Sequence, residues 1–262
     1  MNWKAVARYA IGTNHQNQGI RCQDYGDYRI FNDVIVGAVA DGAGSAKYSD
    51  IGSKLAVETV LKCFYDINES PQKQEELEEG FSQPLSKEEV HNLFAKILEI
   101  TLEKLHNQAA QGNYSVNDLA CTLLVFVATP DWIAAMQIGD GFIVVRSQES
   151  EYQPLFQPDK GEFINETTFI TSTNAVKEMQ VKIILEKQEF ICASTDGLEK
   201  VAIHLSDWKP FPPFFKPFEE YLHDTVNPEK EDKYLIEFLN SERLNSRTDD
   251  DKTLLLCFFD RE

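Results

Sequence analysis

The sequence predicts an α+β protein in which antiparallel sheets carry helices on their outer faces. Three observations point there. The apolar runs come in the order strands, two helices, many strands, then a helix and a strand, which is not the βαβ alternation of a parallel sheet. The strand-like runs are short and bounded by turn residues. At 262 residues with 42% hydrophobic side chains, the chain can build a sizeable core, as one large domain or as two smaller ones.

The elements follow in order. Ala5 to Ile11 and Asp27 to Phe31 read as short strands around a polar segment, Thr13 to Asp24. Val34 to Ala40 is a strand running into Asp41-Gly42 and a loop of small residues, Gly42 to Ala46. Ser49 or Asp50 caps a helix with Ile51, Leu55, Leu61 and Phe64 among its apolar positions. Ser70 to Pro84 reads as a polar loop, in which Lys73 to Glu79 is a solvated charge run. Ser86-Lys87-Glu88-Glu89 is a capping box that opens a long amphipathic helix with Val90, Leu93, Phe94, Ile97, Thr101 and Leu105 at helical spacing. Thr122 to Ala128 and Ile133 to Ile138 flank the turn Thr129-Pro130-Asp131. Phe142 to Val145 follows Asp140-Gly141, where the hairpin signal is strongest. A Thr-rich strand within Phe163 to Ser172 and the strands Val181 to Leu185 and Phe190 to Ser194 come next. Lys209 to Pro217 carries four prolines and is expected to be an irregular loop. It leads to a helix from about Glu231 to Leu239, and Thr253 to Phe259 is the last strand.

Composition excludes several functions. A formal net charge of −18 argues against nucleic-acid binding, which needs a basic footprint. No apolar run approaches membrane-spanning length, and the N-terminus lacks the apolar centre of a signal peptide, so a cytoplasmic protein without a membrane partner is expected. Five scattered cysteines without a Cys-x-x-Cys pair read as reduced thiols, with Cys121, Cys192 and Cys257 in the core. Five histidines without a His-x-x-x-His pair argue against a zinc site.

Three apolar runs end on the same dipeptide: Asp41-Gly42, Asp140-Gly141 and Asp196-Gly197. A fourth carboxylate group, Asp249-Asp250-Asp251, precedes the last strand. Asp-Gly is a turn signal, and at strand ends it is also a way to gather carboxylates at one rim of a sheet. Gathered carboxylates repel unless a hard divalent cation neutralises them. A turn and a metal ligand are compatible readings of each dipeptide.

With these residues placed, the chain resembles the type 2C, metal-dependent serine/threonine protein phosphatases, in a divergent bacterial-type branch. The matching segments, in the family's order, are Cys22-Gln23-Asp24, Val39 to Ser45, Ala120 to Leu123, Ile138 to Gly141, Ala193 to Leu198 and Asp250 to Thr253. The resemblance implies a single domain over residues 1–262 with an αββα sandwich of two central antiparallel sheets flanked by helices. It implies a monomer that acts on a phosphoprotein substrate, with two Mg²⁺ or Mn²⁺ ions in a cleft and room for a third. By position, Asp41 would bridge both metals and Gly42 would offer its carbonyl. Asp196 and Asp250 would ligate one metal, and Asp24 would orient the attacking water. Asp140, with Asp196, would form the weaker third site. Asp251 stands where the family often has Asn and ranks below Asp250 as a ligand. Two divalent ions roughly 4 Å apart can activate a water near neutral pH for in-line attack on phosphorus, and oxygen-only ligands favour Mg²⁺ or Mn²⁺ over Zn²⁺.

The chain departs from the family pattern in places. Gly19 stands at the spacing where the family places a phosphate-gripping Arg, which leaves His15 or Arg21 for that role. His15 is also a candidate general acid. Gln23 replaces a common acidic residue, and Gly161 to Thr168 stands where an Asp-His motif is usual. The missing Arg leaves open a catalytically weak or inactive binding module, and a phosphatase of small phosphoesters is a third reading. A cysteine phosphatase needs an Arg six residues after its Cys, yet Tyr28, Glu69, Val127 and Leu198 stand there. Asp249 to Thr253 matches Asp-x-Asp-x-Thr but follows polar Asn245 to Thr248 rather than a strand, so the match is fortuitous.

Overall fold

The computed structural model describes residues 2–69, 81, 83–148, 150–157 and 167–260. Its elements are β1 (Asn2–Ala10), α1 (Thr13–Gln18), β2 (Tyr25–Phe31), β3 (Val34–Ala40), α2 (Ser49–Glu69), α3 (Lys87–Gly112), β4 (Leu123–Ala128), β5 (Ile133–Ile138), β6 (Phe142–Arg146), β7 (Gln153–Pro154), α4 (Ala175–Glu178), β8 (Gln180–Ile184), β9 (Phe190–Ser194), α5 (Glu199–Ala202), β10 (Ile203–His204), β11 (Lys209–Pro210), α6 (Pro212–Asp224), α7 (Lys233–Leu239), α8 (Glu242–Asn245) and β12 (Lys252–Asp260). Two sheets dominate, in the orders β1-β12-β9-β6-β7 and β2-β3-β4-β5-β8, and neighbouring strands run antiparallel.

The layers follow from strand parity. Along β3, Val34, Val36, Ala38 and Ala40 pack with α2 and α3, through Val57, Phe64, Phe94 and Ile97. Ile35 and Val39 point the other way and meet Leu255, Cys257 and Phe259 of β12. On β12, Leu254, Leu256 and Phe258 face α6 and α7, through Phe215, Phe218 and Leu235. Helices, sheet, sheet and helices therefore stack in four layers, with an apolar core in each gap. This is the αββα sandwich the resemblance implied. Both faces of the central strands are buried, so β3 reads as an unbroken apolar run rather than an alternating one.

The capping box is present as expected: the Ser86 hydroxyl accepts the Glu89 N–H, and the Glu89 carboxylate accepts the Ser86 N–H. Cys121, Cys192 and Cys257 are fully buried free thiols.

Four expectations are corrected. Lys209 to Pro217 is not an irregular loop: Pro212 opens α6, and Pro217 lies inside it. Proline is tolerated in a first helical turn, and burying Phe214, Phe215, Phe218 and Leu222 against the sheet offsets the bond lost at Pro217. Asp140-Gly141 is not a hairpin, because β5 and β6 lie in different sheets. Gly139 and Gly141, at φ 90° and 100°, instead turn the chain from one sheet to the other. Residues 167–172 form no strand, and the rest of the Thr-rich strand, 163–166, lies outside the described residues. The polar segment after β1 contains the short helix α1, closed by Gly19 at φ 68°. Most of the polar loop from Ser70 to Pro84, with its charge run from Lys73 to Glu79, also lies outside the described residues.

Candidate active site

Register brings one set of strand ends to a common rim. Ala10 pairs with Lys252, Tyr25 with Ala40, Leu123 with Ile138, and Ser194 with both Leu254 and Phe142. The ends of β1, β3, β5 and β9 therefore share an edge with the starts of β2, β4, β6 and β12. The loops at that edge carry Asp24, Asp41, Asp140, Asp196 and Asp250. Side chains tie the two sheets together there. The Asp251 carboxylate accepts the Gly12 and Gln23 N–H groups, both at 2.6 Å. The Thr195 hydroxyl donates to Asp24 Oδ2 at 2.6 Å.

Carboxylate oxygens of Asp41, Asp140 and Asp196 lie within 4.8 Å of one another. Asp41 is held by its backbone, since its N–H donates to Thr122 Oγ1 and its carbonyl accepts the Thr122 N–H. The charges of Asp24 and Asp250 are both felt at Asp41 and at Asp196. Among the described residues, no Lys, Arg or His lies within ion-pair distance of any of these five aspartates, although Asp251 has His15 at 2.9 Å.

The electrostatic result is strong mutual repulsion. Burial, then the charges of Asp24 and Asp196, push the Asp41 carboxyl up to about 11. Burial, then Asp140, raises Asp196 to about 8. Burial raises Asp24 to about 7, opposed by the Thr195 hydroxyl. Asp250 is also raised, by burial first. A divalent cation reverses this logic, because it stabilises the ionised oxygens. The donor set is all oxygen, which suits Mg²⁺ or Mn²⁺. The residues present thus fit a hard-metal centre.

Gly42 pairs with Cys121 and donates its N–H to the Gln23 carbonyl; a Cβ on it would come 2.7 Å from that of Ser49. Gln23 is buried and its side-chain carbonyl oxygen has no hydrogen-bond partner among the described residues. His15, on α1, points Nδ1 at Asp251 Oδ2. Arg21 is turned away: its side chain is 90% exposed and approaches Asp50 only to 4.0 Å.

Two participants, Glu199 and Thr195, escaped sequence reasoning, and a third, Thr167, lies in the Gly161 to Thr168 stretch already singled out as a departure. Glu199 accepts the Gly141 N–H at 3.0 Å, and burial, then the charge of Asp140, raises it to about 7. Thr167 donates to Asp140 Oδ2 at 2.7 Å. Thr195 stands beside Asp196 in a matched segment, but nothing in the sequence showed that it would face Asp24.

Comparison with known proteins agrees with this geometry. The family model described as protein phosphatase 2C matches residues 11–240. Serine/threonine-protein phosphatase 3 of Escherichia coli strain K12 is 32% identical over 267 residues, covering 99% of each chain. The serine/threonine phosphatase of S. agalactiae superposes with a TM-score of 0.63 at 16% identity, over 98% of this chain and all of the other. A bacterial serine phosphatase superposes at 0.64 and 13% identity, over 100% and 99%. The fold, the acidic rim and the family match lead to one assignment: this chain belongs to the protein phosphatase 2C family.

Proposed function

We propose that this chain hydrolyses phosphoserine and phosphothreonine in proteins, using Mg²⁺ or Mn²⁺ held at the acidic rim. The observation that carries the proposal is the approach of Asp41, Asp140 and Asp196 within 4.8 Å, with no ion pair to any of them among the described residues. The serine/threonine specificity named for the E. coli relative supports the substrate class.

Asp41, Asp196 and Asp250, with the Gly42 carbonyl, would hold two ions, and Asp140 with Asp196 a third. When bound, the ions supply positive charge to the phosphoryl oxygens and make water a nucleophile near neutral pH. The chain's own groups do the rest. Asp24, buried and fixed by Thr195, orients the attacking water and can take its proton. Asp251 fixes the His15 ring through Nδ1 and leaves the other ring nitrogen for the substrate. There His15 grips the phosphate or protonates the leaving seryl or threonyl oxygen. Arg21, solvent-facing, is poorly placed for either task.

The test is hydrolysis of an aryl phosphate with Mn²⁺ and with chelator, followed by a panel of phosphopeptides against small phosphoesters. We expect turnover only with metal, a preference for phosphopeptides, and a loss of about a thousandfold or more in Asp41→Asn. Well-folded protein with no metal-dependent turnover would overturn the proposal.

A further inference from the structure

Beside the acidic rim lies a groove of the opposite charge. It occupies about 510 Å³ between α5, the start of α6, α7 and α8. Its basic side chains are Lys200, His204, Arg243 and Arg247, all exposed, and no Asp or Glu among the described residues lines it. This is notable in a chain of net charge −18. None of the four makes an ion pair among the described residues. Part of the apolar lining is accessible as well. Phe211 is 39% and Tyr234 44% exposed, and the Phe211 ring meets His204 edge-on at 5.1 Å between centroids.

The groove is continuous with the catalytic rim through the chain itself. Lys200 follows Asp196 by four residues, in the short helix α5 that leads out of the site, and Arg247 precedes Asp250 by three. An acidic rim and an acidic chain repel acidic proteins in general, so a local cationic stripe selects where an acidic segment can lie. The aromatic walls suit an apolar anchor side chain.

We propose that this groove binds an acidic segment of the phosphoprotein substrate that flanks the phosphorylated residue and carries one large apolar side chain. The proposal names the substrate of the site discussed above and rests on the phosphatase reading for its catalytic consequence, but not for binding.

Two measurements separate the two. In the first, wild type and Lys200→Glu/Arg247→Glu act on an aryl phosphate and on two phosphothreonine peptides, one with a Leu-bearing acidic flank and one with a neutral flank. Wild type should favour the acidic peptide about tenfold in kcat/KM, through KM, with the preference shrinking as salt rises. The double variant should lose that preference and keep its aryl phosphate turnover. In the second, a labelled, unphosphorylated acidic peptide is titrated into Asp41→Asn protein and followed by fluorescence anisotropy. Binding should be weakened by the charge reversals and by Phe211→Ser. No binding, or binding that survives the reversals, overturns the groove whether or not the aryl phosphate is hydrolysed. Binding that responds to the reversals, with no aryl phosphate turnover, keeps the groove and removes the phosphatase reading. A dimer in sedimentation that the reversals dissociate would make the groove a self-interface, and also overturns the proposal.

Discussion

Asp250 and Asp251 are adjacent and do different work. Asp250 stays on the solvent side, where its charge adds to the repulsion at Asp41 and Asp196. Asp251 is turned inward, 2% exposed, and gathers Gly12, His15 and Gln23 onto the start of β12. Asp251→Ala would strand two buried N–H groups and release His15. We expect a loss of about 2–4 kcal/mol in urea unfolding together with a fall in kcat, whereas Asp251→Asn, which keeps one acceptor oxygen but turns an NH2 group toward the other buried N–H, should cost about 1–3 kcal/mol. The neighbouring carboxyls give a pH signature. Asp24, Asp41 and Asp196 bind protons more tightly folded, at about 7, 11 and 8, than at the ordinary aspartate value of 3.8. In chelator, the folded state therefore holds the extra protons, and stability should fall as pH rises from about 4 to 8. Saturating Mn²⁺ should flatten or reverse that slope, since the cation favours the ionised carboxylates. Calorimetric melts across pH with and without metal check it; a chelated protein that gains stability over this range contradicts the burial and repulsion argument.

At the scale of elements, α3 and α6 differ in how plainly they are written. The α3 signal is local: Ser86 and Glu89 satisfy each other's backbone, and the apolar positions recur at helical spacing. In α6 the same spacing is present in Phe214, Phe215, Phe218 and Leu222, but the four prolines of Lys209 to Pro217 obscure it. What holds this helix is contact with sheet residues such as Phe142, whose ring meets that of Phe215 edge-on at 6.1 Å. Phe215→Ala should thus cost about 3–5 kcal/mol in chemical denaturation and loosen the helix that forms one wall of the basic groove. A cost below about 1 kcal/mol would mean that α6 is held by something other than this packing. Asp140-Gly141 is the contrasting case. Its turn was legible, but the partner of the strand beyond it was not, because a two-residue turn between apolar runs looks the same whether the chain folds back or changes sheets.

For the molecule as a whole, the contact between the two sheets sets the cleft. Gly37 sits where β3 crosses the opposite sheet. A Cβ there would come 2.4 Å from the Phe126 ring and 2.6 Å from Leu255. Gly37→Ala should separate the sheets locally, lowering stability by about 1–3 kcal/mol, and should reduce activity although Gly37 is far along β3 from Asp41. Thermal melts and aryl phosphate kinetics would show both effects; an unchanged melt would mean that the sheets can shift freely.

The sequence by itself determined most of the elements and the family. Strand-end aspartates at 41, 140 and 196, Asp24 upstream and Asp250 downstream are local features, and their order carried the family. The tertiary structure alone decided which strands share a sheet, because strands buried on both faces lose the alternation that marks a face. It also decided which neighbours the carboxylates meet. The bond from Thr195 to Asp24 and the three ties to Asp251 join positions more than 170 residues apart. Such pairings depend on register across two packed sheets, and no local pattern records them.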